Sequence, residues 1–133
     1  MKYICRNIFE LKEIAELILS SYKDKKVFAI YGDLGVGKTT FVKELVKKLG
    51  SEDIVSSPTF TIINIYKYNK GEIYHIDLYR IEKQEGLEEV GIEEYLYSGN
   101  YCFIEWPNIL EHLFDERVLK INIKRKDNKE REF

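Results

Sequence analysis

Two unbroken apolar runs predict the strands at the centre of the fold. Residues 27–31 and 101–104 contain only apolar or aromatic side chains, as is typical of strands that are buried on both faces of a sheet. Residues 118–124 instead alternate apolar and polar side chains, which predicts a half-exposed strand. The pattern therefore predicts two central strands and a third with one face toward solvent.

Apolar residues at helical spacing predict a helix on each side of the first buried strand. One stripe occupies residues 8–18, directly after Asn7, and Glu10 completes a pattern that resembles a capping box. We expect this helix to end at about residue 20. A second stripe over residues 41–49 is followed by Gly50, a residue that commonly caps the C-terminus of a helix.

The other segments complete an alternating pattern. Residues 61–68 and 72–78 predict a β-hairpin, the glycine-interrupted segment 81–97 predicts two short helices, and residues 108–114 predict another. A first strand within residues 1–6 is expected as well. Helices that alternate with strands, with one hairpin inserted, predict a three-layer α/β sandwich with a mainly parallel central sheet and some antiparallel strands.

Composition adds limits on class and location. The chain has 133 residues, so we expect a single domain over residues 1–133. With 44% hydrophobic and 33% charged residues it is expected to be a soluble globular protein, and its net charge of −2 argues against binding nucleic acid by charge alone. The two cysteines, Cys5 and Cys102, form no motif, and no apolar run could span a bilayer. We therefore expect a cytoplasmic protein with no membrane partner.

A phosphate-binding loop lies between the first buried strand and the second helix. Residues 32–39 read Gly-Asp-Leu-Gly-Val-Gly-Lys-Thr and fit the pattern G-x-x-x-x-G-K-[ST]. In such a loop the backbone N–H groups face the anion, the lysine reaches the β- and γ-phosphates, and the hydroxyl binds Mg²⁺. The expected ATP-binding residues are Gly32, Asp33, Leu34, Gly35, Val36, Gly37, Lys38, Thr39 and Thr40.

Two acids stand where a Mg-nucleotide site needs one, at the end of a strand beside the loop. Glu105 follows the more uniformly apolar run, so it is assigned to Mg²⁺ together with Thr39, directly or through water. Asp77 is then the candidate that orients or deprotonates the attacking water; with Lys38 these acids form the expected catalytic set. His75 shares a strand face with Asp77, and a lone strand histidine favours a structural role.

The segment Ser-Ser-Pro-Thr-Phe-Thr at residues 56–61 has two interpretations. It is either a loop that Pro58 shapes or a switch-like loop in which Thr59 or Thr61 senses the γ-phosphate and Mg²⁺. Spacing alone leaves both open.

Five blocks, taken together, resemble one family. They are Gly-Asp-Leu-Gly-Val-Gly-Lys-Thr-Thr at 32–40, Ser-Pro-Thr-Phe-Thr at 57–61, His-Ile-Asp-Leu-Tyr-Arg at 75–80, Gly-Ile-Glu-Glu-Tyr at 91–95 and Ile-Glu-Trp-Pro at 104–107. In this order they resemble the TsaE (YjeE) family, the bacterial ATPases of tRNA threonylcarbamoyladenosine biosynthesis.

The resemblance implies a Mg-ATP hydrolase that is weak alone and works with the TsaB and TsaD proteins. Their complex installs threonylcarbamoyl on the adenosine next to the anticodon, so tRNA would be met only through the complex. The resemblance assigns phosphate and Mg²⁺ to Lys38 and Thr39, the Mg-linked acid to Glu105, a required acid to Asp77, and a switch-like loop to Thr59 and Thr61.

Three alternatives remain. A small P-loop metabolite kinase usually needs an arginine-rich lid, but Arg117 is the only arginine between Glu105 and residue 118. A GTPase-like switch usually needs an Asn-Lys-x-Asp block, which the sequence lacks, so ATP is favoured. A nucleotide-gated binding module with incidental hydrolysis stays open.

Two positions depart from the family pattern. Asn108 stands where the family commonly has Glu or Gln, so no role is expected there. With Phe133 as the last residue, we expect a short final hairpin.

Overall fold

The computed structural model describes residues 2–58, 61–81, 91–127 and 130–133. None of the helices in these ranges is long and apolar enough to cross a membrane. In chain order the elements are β1 Ile4–Cys5, α1 Ile8–Ser21, β2 Val27–Tyr31, α2 Lys38–Lys48, β3 Ile63–Tyr68, β4 Gly71–Asp77, α3 Ile92–Leu96, β5 Tyr101–Glu105, a 3₁₀ helix Pro107–Leu113, β6 Val118–Asn122, β7 Lys124–Arg125 and β8 Arg131–Glu132.

The main sheet has five strands in the order β3-β4-β5-β2-β6. Strands β4, β5, β2 and β6 run parallel to one another, and β3 is antiparallel to β4 at one edge. A second, antiparallel sheet has the order β1-β8-β7. Both the mainly parallel sheet and the hairpin of β3 and β4 confirm the sequence prediction.

Each face of the main sheet carries its own apolar core. On β2 and β5, Phe28 and Phe103 face α1 and α2, whereas Ala29 and Ile104 face α3 and the 3₁₀ helix. All four side chains are fully buried, which explains why these strands are apolar at every position rather than at alternate ones. The three-layer arrangement follows from this two-sided burial and confirms the predicted fold class.

The helix ends follow the local signals closely. The Asn7 side chain accepts the Glu10 N–H at 3.0 Å, while the Glu10 carboxylate accepts the N–H of Arg6 at 2.8 Å, so the capping box reaches one residue further back than the usual one. At the end of α2, Gly50 has a φ of 101° and its N–H donates to a helix carbonyl. This left-handed geometry is why glycine suits the position.

Three predicted boundaries were wrong. The strand expected from Thr61 begins at Ile63, because Ile62 has a φ of 72° and breaks the extended backbone. The helix expected over 108–114 is a 3₁₀ helix that starts at Pro107; a proline suits a first turn, and short helical pieces are often 3₁₀. The strand expected over 118–124 divides after Asn122, where the chain passes into the second sheet.

Two further predictions fall partly outside the described residues. Of the two helices expected within 81–97, one is α3; the prediction of the other falls on a segment of which residues 82–90 are outside the described ranges. The final hairpin is short, as expected, yet β8 pairs with both β1 and β7. Phe133 is buried and its ring centre lies 4.9 Å from that of Phe41, so the last residues pack on α2.

We predict that Phe28→Ala lowers the free energy of unfolding by about 3–5 kcal/mol, because it empties a fully buried position beside two other aromatic rings. Phe9→Ala is the matched control, since that ring is 72% exposed and should change stability by less than about 0.5 kcal/mol. Urea denaturation measures both variants, and equal losses would contradict the described core.

Candidate functional site

The predicted phosphate-binding loop joins the end of β2 to the start of α2. Gly35 and Gly37 have φ angles of 79° and 108°, which side chains with a Cβ rarely adopt. Gly32 is constrained by space instead: an added Cβ would lie 2.9 Å from the backbone oxygen of Ile123. The loop's conformation therefore depends on glycine at all three predicted positions, and it ends at the N-terminus of an eleven-residue helix.

Lys38 lies at the mouth of this loop. Its side-chain amine donates to the backbone oxygens of Gly32 at 2.5 Å and Asp33 at 3.0 Å. The same amine is 3.9 Å from the ring centre of Trp106. Burial lowers the pKa of Lys38, an effect that the nearby carboxylates of Glu105, Asp77 and Asp33 oppose. The lysine thus lies against the loop's own carbonyls, where phosphate oxygens could replace them as partners.

Glu105 is the last residue of β5 and is 3% exposed. Its register with Ile30 of β2 brings it beside the loop. The Thr39 hydroxyl is 3.0 Å and 2.9 Å from the two carboxylate oxygens, and His75 Nε2 is 2.5 Å from Oε2. The two residues predicted for Mg²⁺ are therefore in direct contact.

Asp77 occupies the equivalent place on the neighbouring strand. It ends β4, lies opposite Glu105 in the parallel register and is also 3% exposed. One of its carboxylate oxygens accepts the N–H of Tyr79 at 2.9 Å. Because both acids are buried at the same edge of the sheet, neither is a solvent-exposed strand-end carboxylate.

Most of the predicted site residues line one cavity of about 340 Å³. Lys38, Asp77 and Glu105, the expected catalytic set, all line it. The other lining residues are Leu34, Gly35, Gly37, Thr39, Thr40, Ser57, Tyr79 and Trp106. A second cavity of about 680 Å³ adjoins the first, and Leu34 lines both. The second cavity is lined by the remaining predicted loop residues, Gly32, Asp33 and Val36. Its other lining residues are Tyr31, Asn122, Ile123, Lys124 and Arg125.

The predicted switch-like residues lie apart from this cavity or outside the described ranges. Thr59 is not among the described residues. Thr61 is exposed, and its hydroxyl donates to the Asn64 side chain at 2.8 Å. Among the described hydroxyl residues of this segment, Ser57 lines the cavity. The sequence pattern did not single it out, although it belongs to the same block.

A buried hydrogen-bonded pair that the sequence did not predict lies behind the site. His75 is fully buried, and its Nδ1 lies 2.9 Å from the hydroxyl of Tyr66 on β3. Burial raises the pKa of Tyr66, so its hydroxyl keeps its proton at neutral pH. This contact depends on the pairing of β3 with β4, which brings Tyr66 close to His75, so no sequence pattern indicated it.

Two side-chain oxygen donors of the site suit a magnesium ion that would be bound together with a nucleotide. Within the described ranges, no group of three or more His, Cys, Asp or Glu side chains could hold a metal by itself. Thr39 and Glu105 do supply two hard oxygen donors in contact. Mg²⁺ commonly binds one or two such protein oxygens and completes its shell with waters and phosphates. The donor set therefore fits Mg²⁺ delivered with phosphate.

Comparison with known proteins gives consistent similarities. A sequence model of the family described as "Threonylcarbamoyl adenosine biosynthesis protein TsaE" matches residues 5–133. The tRNA threonylcarbamoyladenosine biosynthesis protein TsaE of Rickettsia prowazekii is 41% identical over 123 residues, which is 92% of this chain and 85% of the relative. The protein of the same name from Bacillus subtilis is 40% identical over 132 residues, or 99% of this chain and 82% of the relative.

A solved structure extends the similarity to the fold. The crystal structure of YdiB from Bacillus subtilis matches with a TM-score of 0.77 and 37% identity, and the match covers 99% of this chain and 81% of that one. Sequence and fold are thus similar over nearly the whole chain.

We predict that Gly32→Ala lowers the free energy of unfolding by about 3 kcal/mol, the upper end for overpacking, because a backbone oxygen cannot move aside easily. Gly35→Ala is the control: its Cβ would meet nothing within 4 Å, so the expected loss is only the cost of the left-handed backbone, about 1 kcal/mol. Denaturant titration compares the two, and a Gly35→Ala loss as large as that of Gly32→Ala would contradict the described loop.

Proposed function

The chain belongs to the TsaE family, whose members carry the name of tRNA threonylcarbamoyladenosine biosynthesis, and from this premise we propose that it binds and hydrolyses Mg-ATP. The hydrolysis would support the complex that installs threonylcarbamoyl on the adenosine next to the anticodon of tRNA. The observation that carries the proposal is the contact between the Thr39 hydroxyl and the buried Glu105 carboxylate beside the phosphate loop.

ATP binding would use the loop and its two cavities. The loop N–H groups and the start of α2 attract the phosphates, and Lys38 exchanges the carbonyls of Gly32 and Asp33 for phosphate oxygens. The second cavity, next to the loop, has room for the base and ribose. ATP is favoured over GTP because no Asn-Lys-x-Asp block is present in the sequence.

The proposed reaction is direct hydrolysis. A water oxygen attacks the γ-phosphorus, the bond from that phosphorus to the β,γ-bridging oxygen breaks, and ADP departs with the electron pair. Asp77 lines the same cavity as the loop residues, where it would orient the water and accept its proton. Lys38 neutralises negative charge that accumulates on the phosphate oxygens.

Magnesium would be held by Thr39 and Glu105. A hydroxyl has one proton and two lone pairs, so Thr39 can keep its hydrogen bond to the carboxylate while its oxygen binds the ion. When bound, Mg²⁺ would neutralise part of the negative charge of the phosphates. Glu105 would contact it directly or through a water molecule.

The proposed partners are the TsaB and TsaD proteins, with tRNA reached through their complex. The net charge of −2 supports indirect rather than direct contact with tRNA. The ATPase is expected to be weak alone and to be stimulated in the complex. A tRNA-modification role of this kind belongs to the cytoplasm, which is the location we propose.

We predict that Lys38→Ala weakens ATP binding about 30-fold or more, the effect of about 2 kcal/mol for removing one buried charged partner. Lys48→Ala is the matched control, because this lysine lies at the far end of the same helix and contacts Glu16. Isothermal titration calorimetry with ATP and with GTP measures both variants. Undiminished affinity in Lys38→Ala, or a preference for GTP, would contradict the proposed binding mode.

We predict that phosphate release from Mg-ATP is slow for the chain alone, rises strongly with the TsaB–TsaD pair and yields ADP and free phosphate. Asp77→Asn should lower the stimulated rate about 100-fold or more, the usual range for losing a general base. Glu116→Gln, an exposed carboxylate, is the control and should keep the rate.

Each alternative has its own outcome in that assay. Transfer of the γ-phosphate to a small-molecule acceptor would favour a metabolite kinase. A Glu105→Ala variant that still binds ATP and still supports tRNA modification without hydrolysis would favour a nucleotide-gated binding module. A high rate alone that the pair does not change would contradict the proposed partnership.

A further inference from the structure

The buried contact between His75 and Glu105 has no part in the reaction described above. His75 is fully buried and both of its ring nitrogens have partners: Nε2 lies 2.5 Å from Glu105 Oε2, and Nδ1 lies 2.9 Å from the Tyr66 hydroxyl. The histidine does not line the phosphate-loop cavity. It therefore cannot act as the general base or contact the nucleotide.

We propose that His75 is a positioning residue that holds the Glu105 carboxylate in its metal-binding orientation, and that Tyr66 in turn fixes the histidine and connects it to residue 56. This inference rests on the proposed function where it concerns the metal. The hydrogen-bond arrangement itself is a property of the protein without nucleotide.

The tautomer of His75 follows from its partners. An ionised carboxylate only accepts hydrogen bonds, so Nε2 must carry the proton that bridges to Glu105. In the neutral ring Nδ1 is then an acceptor, and the Tyr66 hydroxyl is the donor that reaches it. The opposite tautomer would place the Nε2 lone pair against the carboxylate at hydrogen-bond distance.

The hydroxyl of Tyr66 gives the series of hydrogen bonds a direction. It lies 3.2 Å from the backbone oxygen of Ser56 and 3.4 Å from the backbone nitrogen of that residue. A phenol has a single proton, which can be donated either to the Ser56 oxygen or to His75 Nδ1. When the neutral ring accepts it at Nδ1, the Ser56 N–H is the link from Tyr66 to this segment. The order is then Ser56 N–H to Tyr66, Tyr66 to His75, and His75 to Glu105.

This series of hydrogen bonds connects two parts of the site. At one end is the carboxylate in contact with Thr39. At the other end is Ser56, whose neighbour Ser57 lines the same cavity. A protein group that binds a metal is commonly oriented by such an outer hydrogen bond, and loss of the outer partner typically weakens metal binding 10- to 100-fold.

The strand order explains why these side chains meet. Tyr66 on β3, His75 on β4 and Glu105 on β5 belong to adjacent strands. Tyr66 and Ile73 form a register pair, and Asp77 and Glu105 form another. A line of polar groups thus crosses three strands on the face of the sheet that also carries the apolar core of α1 and α2.

The first test observes the hydrogen bonds in the nucleotide-free protein. The chain has two histidines, so ¹⁵N-imidazole labelling gives two sets of signals, and His112→Gln identifies that of the exposed one. We expect the Nε2 of His75 to be protonated, with a far-downfield proton that shifts in Glu105→Ala. A proton on Nδ1 alone, or signals that Glu105→Ala leaves unchanged, would overturn the inference.

The second test measures metal binding rather than turnover. Electron paramagnetic resonance of Mn²⁺ gives its affinity for the ATP-loaded protein. His75→Leu should weaken Mn²⁺ binding 10- to 100-fold, whereas His75→Gln, whose amide N–H can replace Nε2–H, should restore most of it. ATP affinity in the presence of EDTA should stay unchanged in both, with His112→Gln as the control. Equal Mn²⁺ affinity in a folded His75→Leu variant would overturn the inference.

A third variant covers the case in which His75→Leu fails to fold. Tyr66→Phe keeps the ring and removes only the hydroxyl, so it should shift the His75 Nδ1 signal and weaken Mn²⁺ binding by less than His75→Leu would. No change in either readout would overturn the proposal. Absence of ATP binding by the unmodified chain would contradict the proposed function instead, and the nucleotide-free spectra would still decide the position of His75.

Discussion

The arrangement of this site depends on one constraint, the burial of the Glu105 carboxylate at the end of a central strand. A carboxylate that is 3% exposed loses most of its hydration, so it must be compensated by hydrogen bonds or neighbouring positive charge. Thr39 and His75 provide the hydrogen bonds, and the electrostatic interaction with Lys38 provides the charge. Glu105 thus interacts with residues at the start of α2, directly after the loop, and with His75 on the neighbouring strand β4.

The sheet topology satisfies this constraint by bringing carboxyl ends of parallel strands together. Strands β4, β5 and β2 end at the same edge, so Asp77, Glu105 and the phosphate loop meet there although they are distant in sequence. Such an edge is where ligands commonly bind in parallel α/β sheets. The apolar cores on both faces hold the strands in register, so stability and site geometry have the same physical origin.

The sequence predicted most of the fold, and it singled out the residues that meet at the candidate site, because their signals are local. The loop pattern, the two apolar runs and the strand-end acids each occupy a few consecutive residues. It did not predict the contact of Tyr66 with His75, since this contact depends on the register of β3 against β4, nor the place of Ser57 in the cavity. The boundary at Ile63 was missed for a related reason: the left-handed backbone of Ile62 leaves no mark in an apolar pattern.

A crystal structure of the chain with Mn²⁺ and a non-hydrolysable ATP analogue, with Mn²⁺ located by anomalous scattering, would show whether the buried Glu105 carboxylate and Thr39 hold the metal ion. We predict that the ion lies in contact with the Thr39 hydroxyl oxygen and that Glu105 binds it directly or through one water. Phosphates in the loop with the ion away from both residues, or an analogue bound elsewhere, would contradict it.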